Sequence, residues 1–383
     1  MLLAFASLFA DISTEMLYPV LPIFLTTYLK ASGGVVGLVE GVAGATQNIS
    51  QGFSGYISDR LQRRKPVALV GYLIAAAAKP LIGVSGVWQQ ALGARFLDRF
   101  GSGIRSAPRD ALIAGSTDGQ NRGRAFGLEG IGDNLGAFLG PLIAIFLLFQ
   151  IKTDIRNIFY IAFIPGILAF LMIFLLKEKS LAVKAKSKLE MTLDKFPRTY
   201  WKYLGVTALF GIGASSNSFL ILQTRNLGVS LATTILIYAF FNLVAAFISY
   251  PSGVLSDKFG RKNLLLAAFV IFAITYFGFA STKDIYLIGI LFIFYGLYQG
   301  IFRAIGRTFA ADFVPQELAA SGVGWYSTVV GMTGLFASII AGQLWDKVGH
   351  EAVFIYGLVF AVIGVILLML LIPSQHGKRL QES

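Results

Sequence analysis

A chain of 383 residues that is 56% hydrophobic and only 14% charged has too little polar surface to cover a water-soluble globule. The absence of Cys excludes disulfides, thiolate metal sites and cysteine nucleophiles, and His350 and His376 alone make no histidine metal site. The net charge of +12 invites a nucleic-acid reading, which the placement of the charges removes.

Twelve apolar segments are predicted, near 2–29, 35–58, 66–86, 88–115, 123–150, 157–176, 201–222, 231–254, 263–281, 284–311, 321–345 and 351–373. Most reach the roughly 20 residues that a membrane-spanning helix needs. The first lacks a basic leader and contains Asp11 and Glu15, so it reads as a retained helix, not a signal peptide. Of the 32 Lys and Arg, Lys79, Arg95, Arg99, Arg105, Arg109, Arg303 and Arg307 fall inside segments. Lys30, Lys152, Arg156, Arg225, Lys283 and Lys347 lie in loops at one end, and all the others gather at the opposite end. By the positive-inside rule the richer end and both termini are cytoplasmic, in a cell (inner or plasma) membrane. The partner implied by the basic balance is therefore the lipid bilayer, and no nucleic acid. A Lys-rich stretch at 177–200 reads as a cytoplasmic linker. It separates an N-terminal six-helix bundle, 1–176, from a C-terminal one, 201–373, with a tail at 374–383. Loops elsewhere are short, so neighbouring helices run antiparallel.

A short polar stretch recurs between the second and third segments of each half. The copies are Gly55-Tyr-Ile-Ser-Asp59-Arg60-Leu-Gln-Arg63-Arg64-Lys65 and Gly253-Val-Leu-Ser-Asp257-Lys258-Phe-Gly260-Arg261-Lys262. The acids are 198 residues apart, and the same offset maps Arg105 onto Arg303 and Arg109 onto Arg307, which points to an internal duplication. Both copies resemble the loop between helices 2 and 3 of each half in the major facilitator superfamily, roughly G-x-x-x-D-[RK]-x-G-[RK]-[RK]. Gln62 departs from that pattern in the first copy. The resemblance covers essentially the whole chain. It implies an all-α membrane protein, twelve transmembrane helices in two pseudo-symmetric bundles, moving a small-molecule substrate by alternating access. The shared offset of acid and arginine points to symmetry-equivalent ion pairs Asp59–Arg109 and Asp257–Arg307 at a cytoplasmic gate, with Arg60 and Lys258 beside them.

Charges at membrane depth cost roughly 2.5–3.5 kcal/mol each, so they pair or face water. Asp11 and Glu15 are four residues apart on one face of helix 1 and resist double ionisation. Arg105 on helix 4 lies at a similar depth, and in the family helices 1, 4, 7 and 10 line the cavity. Asp11, Glu15 and Arg105, with Arg95, Asp98 and Arg99, are therefore the candidate proton-coupling and substrate residues, with a structural lock between helices 1 and 4 as the other reading. Helix 4 resembles the family's R-x-x-x-G motif, whose first residue is Arg95 or Arg99.

On helix 5, Gly132, Gly136 and Gly140 make a small-residue packing face. Gly136-x-x-x-Gly140-Pro141 resembles a motif of the antiporter branches, although Ala144 and Ile145 replace its trailing glycines. Glu129 and Asp133 lie near the cytoplasmic end, where ion pairs with Arg109, Arg122 or Arg124 fit better than proton carriage. Asn217, Asn242, Gln299, Gln47 and Asn48 read as interhelical hydrogen bonders. No phosphate-binding loop and no catalytic constellation occurs in the sequence, so the chain is expected to be neither pump nor enzyme, and to need no cofactor. The expected activity is proton-coupled export of a small amphipathic or anionic molecule by a monomer. The alternatives are a symporter or uniporter importing a carboxylated or phosphorylated metabolite, and a transport-inactive scaffold.

Overall fold

The computed structural model describes residues 1–61, 63–116, 122–176, 196–315 and 318–373, without the side chains of 55–61, 122–123 and 319–320. The first half begins with α1 (Leu2–Glu15, resumed after a break by Leu21–Ile23 and the π-helical turn Phe24–Tyr28), α2 (Gly33–Leu61) and α3 (Arg64–Val84). It continues with α4 (Trp88–Gly115), α5 (Arg122–Ile145, extended by the π-helical turn Phe146–Gln150) and α6 (Ile155–Ile161 and Phe163–Phe174). The second half comprises α7 (Arg198–Gly213 and Ser218–Asn226), α8 (Leu231–Phe259), α9 (Arg261–Ser281), α10 (Ile285–Asp312), α11 (Ala319–Lys347) and α12 (His350–Leu371). The expected linker lies outside the described residues up to 195, as does the tail; α7 begins at Arg198, inside the range assigned to the linker.

Among the described residues, nine spans are long and apolar enough to cross a membrane, and each corresponds to one of these helices. The three others are α1, which its break cuts to 14 residues, and α2 and α4, which polar residues interrupt. α1 unwinds at 16–20, where Pro19 removes a backbone donor. The spanning faces are apolar on the outside as well: Val70, Leu81, Phe174, Phe277 and Leu370 are all exposed, as a lipid-facing surface requires.

Helices α2 and α8 are both 29 residues long, and Gly33 and Leu231 start them 198 residues apart. Helices α3 and α9 are both 21 long, and α4 and α10 both 28, yet these pairs start 197 apart. Packing confirms the shift. A Cβ on Gly103 of α4 would meet Gln47 O of α2 at 2.6 Å, and one on Gly300 of α10 would meet Ala245 O of α8 at 2.5 Å. Likewise Arg64 Nη1 donates to Ala111 O, and Arg261 Nη1 to Thr308 O. The α8–α9 connection is one residue shorter because Gly260 turns it with a left-handed φ of 86°. The expected equivalence of Arg105 with Arg303 and of Arg109 with Arg307 is thereby corrected: their positions correspond to Phe302 and Gly306. Arg303 and Arg307 correspond to Ser106 and Asp110, about 100° further round the helix.

The halves meet through α2 against α11 and α5 against α8. At the end away from the basic loops, Asp346 accepts hydrogen bonds from Gly33 N (2.8 Å) and Gly34 N (2.7 Å), anchoring the start of α2. Below it, Gly37 packs on Ser338 and Gly331 on Asn48. Among the described residues, the cross-half hydrogen bonds and ring contacts lie between mid-depth and that closed end.

Candidate functional site

The breaks in α1 and α7 face each other at mid-depth, where Tyr18 Oη and Ser216 Oγ lie 3.4 Å apart. Unwound backbone at this depth is tolerated where protein buries it, as at Met16 and Leu17, or where it lines a cavity, as at Ala214, Ser215 and Asn217. Just before the break, Glu15 accepts from Tyr238 Oη (3.0 Å) and Asn242 Nδ2 (3.2 Å), both on α8 of the other half. Arg99 and Arg303 face the same carboxylate within electrostatic range, without closing an ion pair. Tyr18 stacks on Tyr238 at 5.4 Å, and the guanidinium of Arg99 lies 5.9 Å from the Tyr18 ring.

Asp11 has a different set of neighbours. Its carboxyl lies within hydrogen-bond reach of Asp133 on α5, and Arg105 and Glu15 face it at longer range. Gly132, Gly136 and Gly140 lie against the backbone of α1, where an added Cβ on Gly136 would meet Leu8 O at 2.5 Å. That close approach brings Asp133 to Asp11. The two acids of α1 thus answer to different helices, and Arg105 does not clasp them. Its buried guanidinium rests 4.6 Å from the Tyr72 ring, with Nε and Nη1 unbonded.

Arg95, Asp98 and Arg99 belong to a buried network inside the first half. Arg95 pairs with Glu40 of α2 (3.1 Å) and with Asp98 (2.9 Å), and Lys79 of α3 pairs with the other oxygen of Asp98 (2.9 Å). Arg99 lies 3.6 Å from Asp98 and donates to Gln47 of α2, leaving Nη2 without a partner. Two acids stand against three bases, and Arg99, the least buried of the five, also faces Glu15. Gln47 acts as the interhelical hydrogen bonder that the sequence suggested, whereas sequence pattern alone gave no role to Glu40, Lys79 or Tyr238. The charges of Glu40 and Lys79 inside apolar segments were the available signal for two of them.

At the basic end, Arg109 pairs with Glu129 (3.0 Å) and Asp110 (3.0 Å), approaches Asp133 (3.9 Å) and donates to Ser7. These contacts stay within the first half. Arg307 forms no ion pair with Asp257, and Lys258 extends over the ring of Phe259. The side chains of Asp59 and Arg60 lie outside the described residues. Arg261 pairs instead with Asp312 across α9 and α10.

A cavity of about 290 Å³ opens between the halves toward the basic end. Asn48 of α2 lines it from one side, and α7, α10 and α11 from the other. Asn217 donates to Gln299 (3.3 Å) and accepts from Tyr295 Oη (2.8 Å), fixing the amides in one orientation. Arg303 and Arg307 project into the same space. Among the described residues, no group of acids and histidines is arranged to hold a metal ion.

Residues 3–222 and 203–383 each match the family model described as Major Facilitator Superfamily. An uncharacterized MFS-type transporter of Methanocaldococcus jannaschii is 33% identical over 379 residues, covering 96% of this chain and 93% of that protein. A probable 4-methylmuconolactone transporter of Cupriavidus pinatubonensis is 26% identical over 374 residues, covering 92% and 84%. A crystal structure of the nucleoside transporter NupG superposes with a TM-score of 0.82 at 15% identity, covering 97% and 99%, a likeness of fold alone.

Proposed function

The chain belongs to the Major Facilitator Superfamily and is a multi-pass membrane transporter, and from that premise we propose that it is a proton-coupled carrier of a small organic acid. The observation that carries this reading is the placement of Glu15. It is a carboxyl of the first half bonded by two side chains of the second and faced by Arg303 at the cavity. Its bonds to Tyr238 and Asn242 join the halves on the closed side, so its charge state is linked to the movement that opens that side. We assign Asp11, which the glycines of α5 bring beside Asp133, as a second proton-carrying acid.

An anion entering beside Glu15 favours the protonated carboxyl, and by reciprocity the proton favours the anion. Proton and cargo then travel together. The Gly136-x-x-x-Gly140-Pro141 signature favours a second reading, export in exchange for protons. We place the basic end and both termini in the cytoplasm, from the distribution of Lys and Arg. In intact cells an impermeant thiol reagent should label Lys283→Cys and spare Lys258→Cys; the reverse pattern would invert the topology.

The test is proteoliposome transport of a panel of organic acids with the pH gradient imposed in either direction. An alkaline interior should drive accumulation for symport, and an acidic interior for exchange. Asp11→Asn should abolish gradient-driven accumulation and keep equilibrium exchange. Accumulation undiminished in both Asp11→Asn and Glu15→Gln would remove proton coupling from these acids.

A further inference from the structure

Helix α10 carries two guanidinium groups that the coupling scheme does not use as binding groups. Arg303 and Arg307 are four residues apart, so they stand on one face with about 5–6 Å between their Cβ atoms. Both are exposed to the cavity, and neither forms a hydrogen bond or ion pair with a described residue. The shorter α8–α9 connection explains their direction. It rotates them by about 100° from the faces that Arg105 and Arg109 occupy in the first half. Arg109 is held by Glu129 and Asp110 within its own half, whereas no described acid of the second half holds Arg303 or Arg307. The acid nearest in charge to Arg303 is Glu15, whose carboxylate already accepts from Tyr238 and Asn242.

The wall around this pair is built of rings. Phe210, Tyr298 and Phe302 line the cavity with mutual centroid distances of 5.9, 5.8 and 5.7 Å, and Tyr326 lies beside Arg307. A planar, fork-shaped cation matches a carboxylate in a bidentate fashion, and flat rings match a flat body. The volume of about 290 Å³ sits at the small end of ligand pockets, which suits a single ring.

We infer that Arg303 and Arg307 form an anion subsite for an aromatic carboxylate, its carboxylate bridging the two guanidiniums and its ring resting on Tyr298, Phe302 and Tyr326. The inference rests on the cavity being the transport site. It adds the substrate class, and it assigns Arg307 to cargo where the sequence pattern assigned it to a gate.

Benzoate and benzamide, alike in shape and different in charge, test it. Binding is measured calorimetrically on the full-length carrier in phosphatidylcholine nanodiscs, where no anionic headgroup competes. The wild type should bind benzoate at least about tenfold more tightly than benzamide, the worth of one charge-assisted hydrogen bond. Arg303→Gln and Arg307→Gln should each erase about tenfold of that preference and leave benzamide unchanged; Arg→Lys at either position should restore part of it. A gate or folding role would instead lower both ligands together. Equal binding of the two ligands, absence of benzoate binding, or variants that keep the wild-type preference would overturn the subsite. If neutral compounds exchange across proteoliposomes while benzoate neither binds nor competes, the subsite falls and the carrier stands. If benzoate binds as expected and no compound exchanges, the transport reading falls and the subsite stands.

Discussion

The two halves solve one packing problem with different chemistry. Glu40, Lys79, Arg95 and Asp98 make the buried ionic network of the first half. The helix registers place Tyr238, Tyr276, Phe292 and Tyr295 at the corresponding positions of the second. There Tyr276 and Tyr295 meet ring to ring at 6.3 Å where Lys79 and Asp98 form a salt bridge, and Phe241 joins Tyr238 to Phe292 and Tyr295. The duplicated frame keeps its glycine contacts, Gly103 and Gly300, while the interior has changed from charge to aromatic. Backbone approach is thus the preserved quantity, and side-chain chemistry is free to diverge upon it. In the carrier scheme this divides the labour: acids that take protons on one side, rings and free arginines on the other.

The largest expected effect breaks the ionic half. Asp98→Asn strands Lys79 without an acid, leaves Arg95 to Glu40 alone and removes the acid nearest Arg99, and should cost about 3–5 kcal/mol, read by thermal unfolding of the purified protein. Adding Lys79→Met removes the stranded cation and should recover about 1 kcal/mol. A milder effect concerns the clasp between the halves. Asp346→Asn weakens the anchor on Gly33 and Gly34 by about 1.5–3 kcal/mol and should make Ser216→Cys more reactive to an impermeant thiol reagent from the closed side. The smallest is the aromatic counterpart of the first. Tyr295→Phe loses the hydrogen bond to Asn217, a neutral pair, and should cost about 1 kcal/mol. A loss at Tyr295 as large as that at Asp98 would mean that the halves do not differ in how they are held together.

Much of the frame was legible in the sequence, since apolar length and the polar loops mark the helices directly. The three helices missing from the long apolar spans, α1, α2 and α4, each carry charged residues of the site, and α1 is also cut short by its break. What the sequence hid is register. A one-residue difference between the Gln62 and Gly260 loops leaves Asp59 and Asp257 at an offset of 198, yet turns every side chain of α9 and α10 by about 100°. Arg105 and Arg303 therefore looked equivalent and are not. Partnering was hidden for a related reason. Asp11 and Glu15 share a helix face, but the glycines of α5 bring Asp133 to one, and α8 brings Tyr238 to the other. Neither neighbour can be read from spacing within α1.

The division of labour itself is tested most directly by measuring benzoate in proteoliposomes in two ways, pH-gradient-driven accumulation and equilibrium exchange, for Glu15→Gln and Arg303→Gln side by side. Glu15→Gln is expected to exchange at near wild-type rate and to accumulate nothing against a gradient. Arg303→Gln is expected to lose about tenfold in apparent affinity in both assays and to keep the wild-type dependence on the gradient. Two variants that fail in the same way in both assays would contradict the account, because protons and cargo would then be handled by one undivided site.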